Sequence, residues 1–435
     1  MSARPGADAA VSAASSRQAW PALLVLGSAI VCGTATQGVF GPLQEAAKAD
    51  LHLSDFQISL VQGLAASLPV AILSIPLGRM TDRGNRVRIL LAMALAWTLG
   101  TLLTAFAHNF TVLFFARTLA AVGMMCALPV AISIAADLSA AERRGRSLLI
   151  LSIARMFGVA LAFALGGALL AAVDTHPLTL LPGFAAWRSV HLLFALASAA
   201  LMLPLLCLRE PERRELGGIV NPSFGVAIRA IWQRRGLLAP LFLGQVTVVM
   251  ADASAGIWAS PVLIRDYGLQ PADFGGWMGL IMLGSGLVGS IAGGVLADLG
   301  HKGRIPGGML GGAVLASLLA VPAAFFPVMP SVGGFAVMLT LFVFGGAIAG
   351  LMTATAIAVL VPNELRGICL GAFIVVGAVF GFGVAPTAVT LVSGVLGGEA
   401  HVREGLTAVT LVSSIIAAVG FIAAAMATGR KLPAA

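Results

Sequence analysis

Three charged side chains lie inside long apolar stretches of this sequence, where a charge needs either a partner or a use. They are Arg117, Arg155 and Asp252. A charge at the centre of a membrane-spanning helix costs at least about 2.5–3.5 kcal/mol, so each should face a cavity or a counter-charge. The planar fork of an arginine donates two hydrogen bonds to a carboxylate or phosphate, and a carboxylic acid can exchange a proton. These residue types favour the binding of an anion and the transfer of a proton.

Two interpretations of the three charges are open at this point. Asp252 either forms a static buried ion pair with one arginine, or couples and latches while an arginine binds an anionic ligand. Two cations against one acid leave one positive charge uncompensated, which favours the second interpretation. Arg155 and Asp252 are expected near the middle of their helices in opposite halves of the chain, and Arg117 is expected nearer the outer end of its helix.

Polar and aromatic residues in the first helix of each half could complete a binding site. Glutamine in the middle of a membrane span is unusual, although hydrogen bonding between helices explains it equally well. The six histidines lie away from the middle of the helices and the four cysteines lack metal-ligand spacing, so we expect no histidine relay, metal or other cofactor. No catalytic residue is predicted, and the predicted substrate-binding or coupling residues are Arg155, Asp252, Arg117, Gln37, Thr36, Gln245 and Trp258.

The elements that position these residues are predicted to be helices. The chain has 435 residues, of which 59% are hydrophobic and 10% are charged, and its mean hydropathy is +1.00. Apolar runs near 20 residues without alternating polarity predict membrane-spanning helices. We expect twelve of them, at about residues 20–46, 56–78, 89–107, 111–137, 147–173, 188–208, 237–264, 274–297, 306–326, 333–361, 368–396 and 405–428.

The basic residues outside these runs are distributed unevenly between the two sides of the membrane. Twenty fall in segments on the side of the termini, and four fall on the other side. Because Lys and Arg accumulate in cytoplasmic loops, we expect a multi-pass protein of the inner or plasma membrane with both termini in the cytoplasm. The net charge of +8 therefore orients the chain, and no nucleic-acid partner is expected.

The sequence also repeats itself at a spacing of 216 to 222 residues. "GRMTD" (78–82) recurs as "GVLAD" (294–298), and "ERRG" (142–145) recurs as "ELRG" (364–367). Two parallel copies with a substrate site between them are typical of secondary transporters. The prediction is an all-α membrane protein whose twelve transmembrane helices form two pseudo-symmetric six-helix bundles.

The predicted domain organisation follows from the repeat and from the segment between its copies. Residues 224–232 space their apolar side chains as an amphipathic helix that could lie on the membrane surface. The expected parts are a cytoplasmic tail at 1–19, an N-terminal bundle at 20–208, a cytoplasmic linker with this amphipathic helix at 209–236, a C-terminal bundle at 237–428 and a second tail at 429–435.

The stretch "GRMTDRGNRVR" (78–88) concentrates five charges between two apolar runs. It resembles the G-x-x-x-D-R-x-x-R loop between helices 2 and 3 of the major facilitator superfamily. The chain resembles this superfamily over nearly its entire length. The resemblance implies that Gly78 lets helices 2 and 11 approach and that Asp82 pairs across a cytoplasmic gate in the outward-facing state; a merely orienting basic loop is the alternative. The predicted gate residues are Gly78, Asp82, Arg83, Arg86, Asp137, Glu142, Arg144, Asp298, Glu364 and Arg366.

Within that superfamily, the N-terminal half resembles the spinster-like carriers. The likeness lies in "KADLHLSDFQISLVQGLA" (48–65), "FFARTLAAVG" (114–123) and "DLSAAERRGRSL" (137–148). Such carriers are thought to move lysophospholipids, related amphiphiles or organic ions, often with protons. Relatives carry acids where this chain has Thr36 and Met124, so their usual proton coupling is in doubt. Arg117 matches a family arginine that implies a coupling role, and Asp252 becomes the candidate for proton coupling.

These observations predict a secondary transporter that moves a small organic or amphiphilic anion by alternating access, with Arg155 as the principal substrate ligand. The first alternative is a proton-coupled, spinster-like exporter of lysophospholipid-like or drug-like amphiphiles. The second is a receptor on a transporter fold that binds its ligand without moving it, which the retention of both gate copies disfavours. The sequence shows no nucleophile–base pair or phosphate loop, so no enzyme is expected. We expect a monomer surrounded by membrane lipid.

Overall fold

The computed structural model describes the backbone of residues 5–140, 143–175, 183–213, 232–303, 308–362, 369, 371–373 and 375–429, and the side chains from residue 20 onwards except 74 and 75. Twelve helices in this part of the chain are long and apolar enough to cross a membrane, which confirms the predicted number.

The six helices of the first half each begin and end within a few residues of the predicted limits, except that the first begins earlier. It starts at Pro5, so the predicted tail is largely helical. The helices are α1 (Pro5–Gly38 and Phe40–Leu51), α2 (Asp55–Ser59, Leu60–Leu64 and Ala65–Arg83), α3 (Arg86–Ala105), α4 (Phe110–Leu138), α5 (Arg144–Thr175) and α6 (Ala186–Leu206).

The second half repeats this arrangement. The predicted amphipathic helix at 224–232 lies outside the described residues, apart from Trp232. The helices are α7 (Arg235–Arg265), α8 (Pro271–His301), α9 (Gly311–Ala323), α10 (Val332–Leu360), α11 (Gly377–Val384 and Ala385–Leu396) and α12 (Val402–Gly429). Because the number of spans is even, the start of α1 and the end of α12 lie at one face, here called the terminal face. The other face is called the opposite face.

Short polar residues begin several of these helices. The side chains of Ser54, Asn85, Asn109 and Ser331 each accept a hydrogen bond from the backbone N–H three residues further on. Such a cap satisfies a donor that has no partner inside the helix, and its loss typically costs about 1 kcal/mol. The apolar runs therefore become helices with sharply defined ends.

The apolar core is continuous between the two halves near the opposite face and divided near the terminal face. A single buried cluster joins Phe40 and Leu43 of the first half to Trp258 and Phe274 of the second. Near the terminal face the halves instead have separate clusters: Leu26, Leu90, Ala131 and Leu151 represent the first, and Leu238, Leu310, Ala356 and Phe421 the second. The halves therefore pack together at the opposite face and diverge towards the terminal face.

Glycines allow close backbone contact where the halves meet. A methyl group at Gly279 of α8 would lie 2.6 Å from the carbonyl oxygen of Ala160 on α5, and Gly275 lies against Phe163 in the same way. Gly63 of α2 meets the carbonyl of Phe382 on α11. Both segments at this second crossing are π-helical, a local geometry that is frequent at functional sites. Side chains at these glycines would force the halves apart.

Candidate functional site

Arg155 lies on the side of α5 that faces the seam between the two halves. Successive residues of a helix are rotated by about 100°. Gly158, three residues further on, packs against Val31 of α1, and Met156, one residue further on, packs against Gly286 of α8. The direction of Arg155 falls between these two contacts, so its side chain points between α1 of one half and α8 of the other.

The exposure of α5 agrees with this placement. Ile153 and Phe157 are exposed on the side of the helix turned away from the protein, where lipid would lie. Arg155 is exposed on the other side, at about eleven residues from the terminal end of α5, or about 16 Å. No hydrogen bond or ion pair joins Arg155 to the described residues. It is therefore an available cation on the wall of the space between the halves.

Asp252 lies inside the second half. Its carboxyl group lies against α10 at Gly346, where a methyl group would come within 2.7 Å of Oδ1. It lines a cavity of about 10 Å³ between α7, α9, α10 and α12, together with the buried Ser317 and Ser414. This volume suits one water-sized species. Within the described residues, no hydrogen bond or ion pair engages the carboxyl group.

Arg117 lies inside the first half and is 5% exposed. Its Nη2 donates a hydrogen bond of 2.7 Å to the carbonyl oxygen of Gln37, and its guanidinium carbon lies 4.9 Å from the ring centre of Phe40. Arg117, Arg155 and Asp252 therefore occupy three separate environments. Neither arginine forms an ion pair with Asp252, so the interpretation as a static buried ion pair is wrong for this conformation.

The other predicted binding residues serve mainly to hold helices together in this conformation. The hydroxyl of Thr36 donates to backbone carbonyls one turn earlier in α1. Gln37 contributes its carbonyl oxygen to Arg117, and Gln245 accepts a hydrogen bond of 2.8 Å from Thr353 of α10. Trp258 is fully buried, and its indole N–H donates to the carbonyl oxygen of Pro386. Their predicted contact with substrate remains a prediction, and in this conformation Trp258 does not line the seam.

A cluster of five charges closes the opposite face across the two halves. The Nη2 atom of Arg265, at the end of α7, lies 2.7 Å from Glu45 of α1 and 2.7 Å from Asp55 of α2. Lys48 lies 2.6 Å from Asp55 and 2.6 Å from Glu399, which precedes α12. We call these residues the opposite-face cluster. Three of its four ion pairs join one half to the other.

Two glutamine side chains extend this connection towards the middle of the protein. Gln62, in the π-helical turn of α2, donates a hydrogen bond of 2.6 Å to Gln44 of α1. Gln44 donates in turn to the carbonyl oxygen of Ile257 on α7, also at 2.6 Å. This amide chain crosses from the first half to the second. It adds hydrogen bonds between the halves to the ion pairs of the opposite-face cluster.

At the terminal face, Gly78, Asp82, Arg83 and Asp298 make no contact with the other half among the described residues. A methyl group at Gly78 would meet no atom within 4 Å. The backbone carbonyl of Asp82 accepts a hydrogen bond from Arg213 of the same half. Within the described part of the chain, neither Arg83 nor Asp298 has a side-chain hydrogen bond or ion pair to the other half. The predicted pairing of Asp82 across the gate remains a prediction for the other conformation.

The best-connected gate residue braces the first half internally. Arg86 forms ion pairs with Asp137 of α4 and with Glu210 after α6, the latter at 2.7 Å. Arg144 donates a hydrogen bond of 3.2 Å to the carbonyl oxygen of Ala136. These contacts tie the terminal ends of α3, α4, α5 and α6 into one unit. Glu142, Glu364 and Arg366 lie outside the described residues.

The structure is therefore closed at the opposite face, and the described buried cores of the two halves are separate towards the terminal face. The seam between the halves runs from the helix crossings at Gly63 and Gly279 towards the terminal face. Arg155 lies on its wall. The opposite-face cluster is the part of the site that sequence reasoning missed. Only its basic residues were counted, and only for membrane orientation, although the recurrence of charged residues at the opposite-face ends of α1 and α7 could have indicated it.

Comparison with known proteins agrees with this architecture. The family model of the Major Facilitator Superfamily matches residues 25–386. Protein spinster homolog 1 of Xenopus tropicalis is 27% identical over 241 residues, which is 52% of this chain and 43% of that relative's length. The chain thus matches less than half of the length of that relative.

Solved structures show the same fold. The crystal structure of a bacterial homolog to the human lysosomal transporter Spinster, in an inward-facing and unoccupied conformation, superposes with a TM-score of 0.79 at 22% identity and covers 95% of this chain and 98% of the other. A D-xylose-proton symporter gives a TM-score of 0.71 at 13% identity, with 92% and 97% covered. The fold class and the resemblance to spinster-like carriers are thereby confirmed. With most of its length matched by the family model and all twelve helices present, the chain belongs to the Major Facilitator Superfamily, whose members are transporters rather than enzymes.

Proposed function

We propose that this protein is a secondary transporter that moves a small organic or amphiphilic anion by alternating access. The observation that carries the proposal is Arg155, an arginine without a protein partner among the described residues, on the wall of the space between the halves. A guanidinium at this depth favours a ligand that supplies the missing negative charge and accepts two hydrogen bonds. A carboxylate, sulfonate or phosphate group has this chemistry.

Alternating access follows from the contacts at the two faces. In this conformation the opposite-face cluster and the crossings at Gly63 and Gly275 hold the outer ends together. To open that face, these contacts must separate while the halves rock about the site. The terminal ends would then meet, and Gly78 and Asp82 are the residues proposed to close them. Ion pairs at a water boundary suit this exchange, because both states can satisfy the charges.

We infer that the terminal face is cytoplasmic and that the protein acts as a monomer in an inner or plasma membrane. The basic residues support this orientation, since twenty lie on the terminal side and four on the other. In that orientation the present conformation faces the cytoplasm. The halves of a single chain supply both walls of the seam, so one copy suffices for transport.

Asp252 is proposed as the coupling residue. Its carboxyl group lies against Gly346 beside a cavity that can hold one water molecule, so a proton could reach it when α7 and α10 shift. In proteoliposomes, uptake of the substrate should depend on an imposed pH gradient in the wild type. Asp252→Asn should abolish that dependence and retain exchange of labelled for unlabelled substrate. Equal gradient dependence in both proteins would contradict the role of Asp252.

A spinster-like exporter of amphiphiles is the second candidate function. It is supported by the likeness to Protein spinster homolog 1 over half of this chain. Thr36 and Met124 stand where those carriers have acids, and Met124 contacts Thr34 instead of a charged partner. The two candidates differ in the charge of the substrate. Arg155 is the substrate ligand of the proposed anion transporter and is dispensable in an exporter of amphiphiles. A single variant of Arg155 therefore distinguishes the two candidate functions.

The test is a thermal-shift screen of the purified protein with organic anions, lysophospholipids and cationic drugs. A ligand that binds only the folded state stabilises it by mass action and so raises its melting temperature. At a ligand concentration of a hundred times the Kd, the gain in the free energy of unfolding is about 2.7 kcal/mol. Stabilisation by anions that is lost in Arg155→Gln and kept in Ser152→Ala, an exposed neighbour one turn away, would support the anion transporter. Stabilisation by lysophospholipids or cations that survives Arg155→Gln would favour the spinster-like exporter.

A further inference from the structure

Arg117 is an enclosed cation that has no counter-charge among the described residues. One N–H of its Nη2 binds the Gln37 carbonyl oxygen, and the ring of Phe40 covers one face of the guanidinium. Its Nε and Nη1 atoms are buried and have no hydrogen-bond partner. A neutral carbonyl and an aromatic ring do not neutralise a charge that has been removed from water. Such a charge is strongly destabilising unless an anion is paired with it.

Among the described residues, the neighbouring side chains of α1, α4 and α6 supply no such anion. On α1, Thr36 uses its hydroxyl for the carbonyls of its own helix. On α4, the residue two turns from Arg117 is Met124. On α6, His191 is fully buried and its Nδ1 lies 2.8 Å from the carbonyl oxygen of Trp187. That contact places a hydrogen on Nδ1, and Nε2 has no hydrogen-bond partner. An imidazole, whether neutral or protonated, carries no negative charge.

Of the four described carboxylates at this end of the first half, three are engaged with other cations, and the fourth, Asp174, is exposed at the end of α5. Asp50 pairs with Arg188 at 2.9 Å. Glu45 and Asp55 both pair with Arg265 in the opposite-face cluster. The charge of Arg117 therefore has to be balanced by something other than these side chains.

We propose that Arg117 binds a small inorganic anion of the chloride class inside the first half, separately from the organic anion at Arg155. The free N–H groups lie in the plane of the guanidinium, where an ion can approach while Phe40 occupies its face. The free nitrogens are inaccessible to solvent in this conformation, which selects a small ion over an organic molecule. Hydrogen bonds to a charged group are strengthened in such a low-dielectric site. The proposal does not depend on the transport function.

The bound ion would also stabilise the present conformation. Arg117 is enclosed while the opposite face is closed, and an ion that prefers this state shifts the equilibrium towards it. Chloride should therefore favour the state that is closed at the opposite face.

The experiment measures binding of radiolabelled chloride to the purified full-length protein, with gluconate as the replacement anion at constant ionic strength. We expect saturable binding of one ion per chain in the wild type and in Arg155→Gln, and its loss in Arg117→Gln. Data from crystals grown in bromide should show an anomalous peak within hydrogen-bonding distance of Arg117 Nε or an Nη atom. Absence of saturable binding by the wild type, or unchanged binding by Arg117→Gln, would overturn the proposal.

A second pair of variants keeps the test valid if Arg117→Gln fails to fold. Met124 lies seven residues after Arg117 on the same face of α4, and the hydroxyl of Thr34 lies 3.7 Å from its sulfur atom. Met124→Glu places a carboxylate on that face as an internal counter-charge, so chloride binding should be lost while Arg117 is kept. Met124→Gln has the same shape without the charge and should bind chloride as the wild type does. Equal binding by the two Met124 variants would contradict the proposal.

Discussion

Replacing Arg265 by glutamine should open the opposite face. Arg265 contacts Glu45 and Asp55 of the other half through its Nε, Nη1 and Nη2 atoms, at 2.7 to 2.8 Å. These contacts exist only while the opposite face is closed, because opening separates α7 from α1 and α2. In the open state all three side chains would be hydrated. The substitution therefore removes stabilisation from the closed state alone.

The magnitude follows from the burial of the contact. Exposed ion pairs contribute about 0.2–1 kcal/mol, whereas removing one partner of a fully buried pair costs about 3–5 kcal/mol. The side chains of Arg265 and Glu45 are 23% and 19% exposed, and that of Asp55 is 3% exposed. Asp55 also retains Lys48 after the substitution. We expect an intermediate loss of about 2 kcal/mol, which is about a 30-fold shift in the equilibrium between the two states.

The assay is the distance between spin labels on the two halves at the opposite face. Exposed positions for the labels are His108 and Gly333, in a Cys207→Ser background because Cys207 is an exposed native thiol. Arg265→Gln should transfer population from a short to a long distance. The control is Arg188→Gln, which removes an ion pair with Asp50 at the same face but within one half. A distance distribution that is the same in both variants would refute the assignment of Arg265 as a gate residue.

Three further predictions concern packing and the terminal face. Arg86→Gln leaves two carboxylates without their cation and should lower the free energy of unfolding by about 3 kcal/mol, whereas the exposed Arg88→Gln should change it by less than about 0.5 kcal/mol, as measured by chemical denaturation. Gly275→Ala should separate α5 from α8 and lengthen the label distance at the opposite face, while Gly276→Ala, whose added methyl meets no atom within 4 Å, should leave it unchanged. Gly346→Ala forces a methyl group to within 2.5 Å of a carboxylate oxygen and should lower the melting temperature; retention of the wild-type melting temperature would show that this carboxyl group is free to move.

The prediction of the fold from sequence succeeded because a membrane restricts the alternatives. Backbone groups in lipid must bond within their own segment, so each apolar run has to become a helix. The twelve predicted runs match the twelve helices, and the repeat of "GRMTD" by "GVLAD" anticipated two copies of one bundle. The motif resemblance then identified the family that the comparison confirmed. These features are local or periodic, and a linear pattern contains them.

The partners of individual side chains were less predictable. Asp252 and Arg155 were expected near the same level of the membrane, and both pairing and separation were compatible with that expectation. The structure separates them because Asp252 points to Gly346 within its own half, and Arg155 points to the seam. The direction of a side chain depends on how its helix is rotated against its neighbours. A helix with apolar residues on all sides gives little indication of that rotation.

What the sequence by itself determined is the membrane-spanning helical architecture, its internal duplication, its family and a short set of unusual charges. Only the tertiary structure decided which face is closed and by which residues. Glu45 and Arg265 are 220 positions apart in the chain, and the sequence describes them as unrelated charges near the ends of two helices. They meet because α1 and α7 are equivalent helices of two halves that pack face to face. That contact depends on the relative tilt of the halves, which is a property of the conformation rather than of any local pattern.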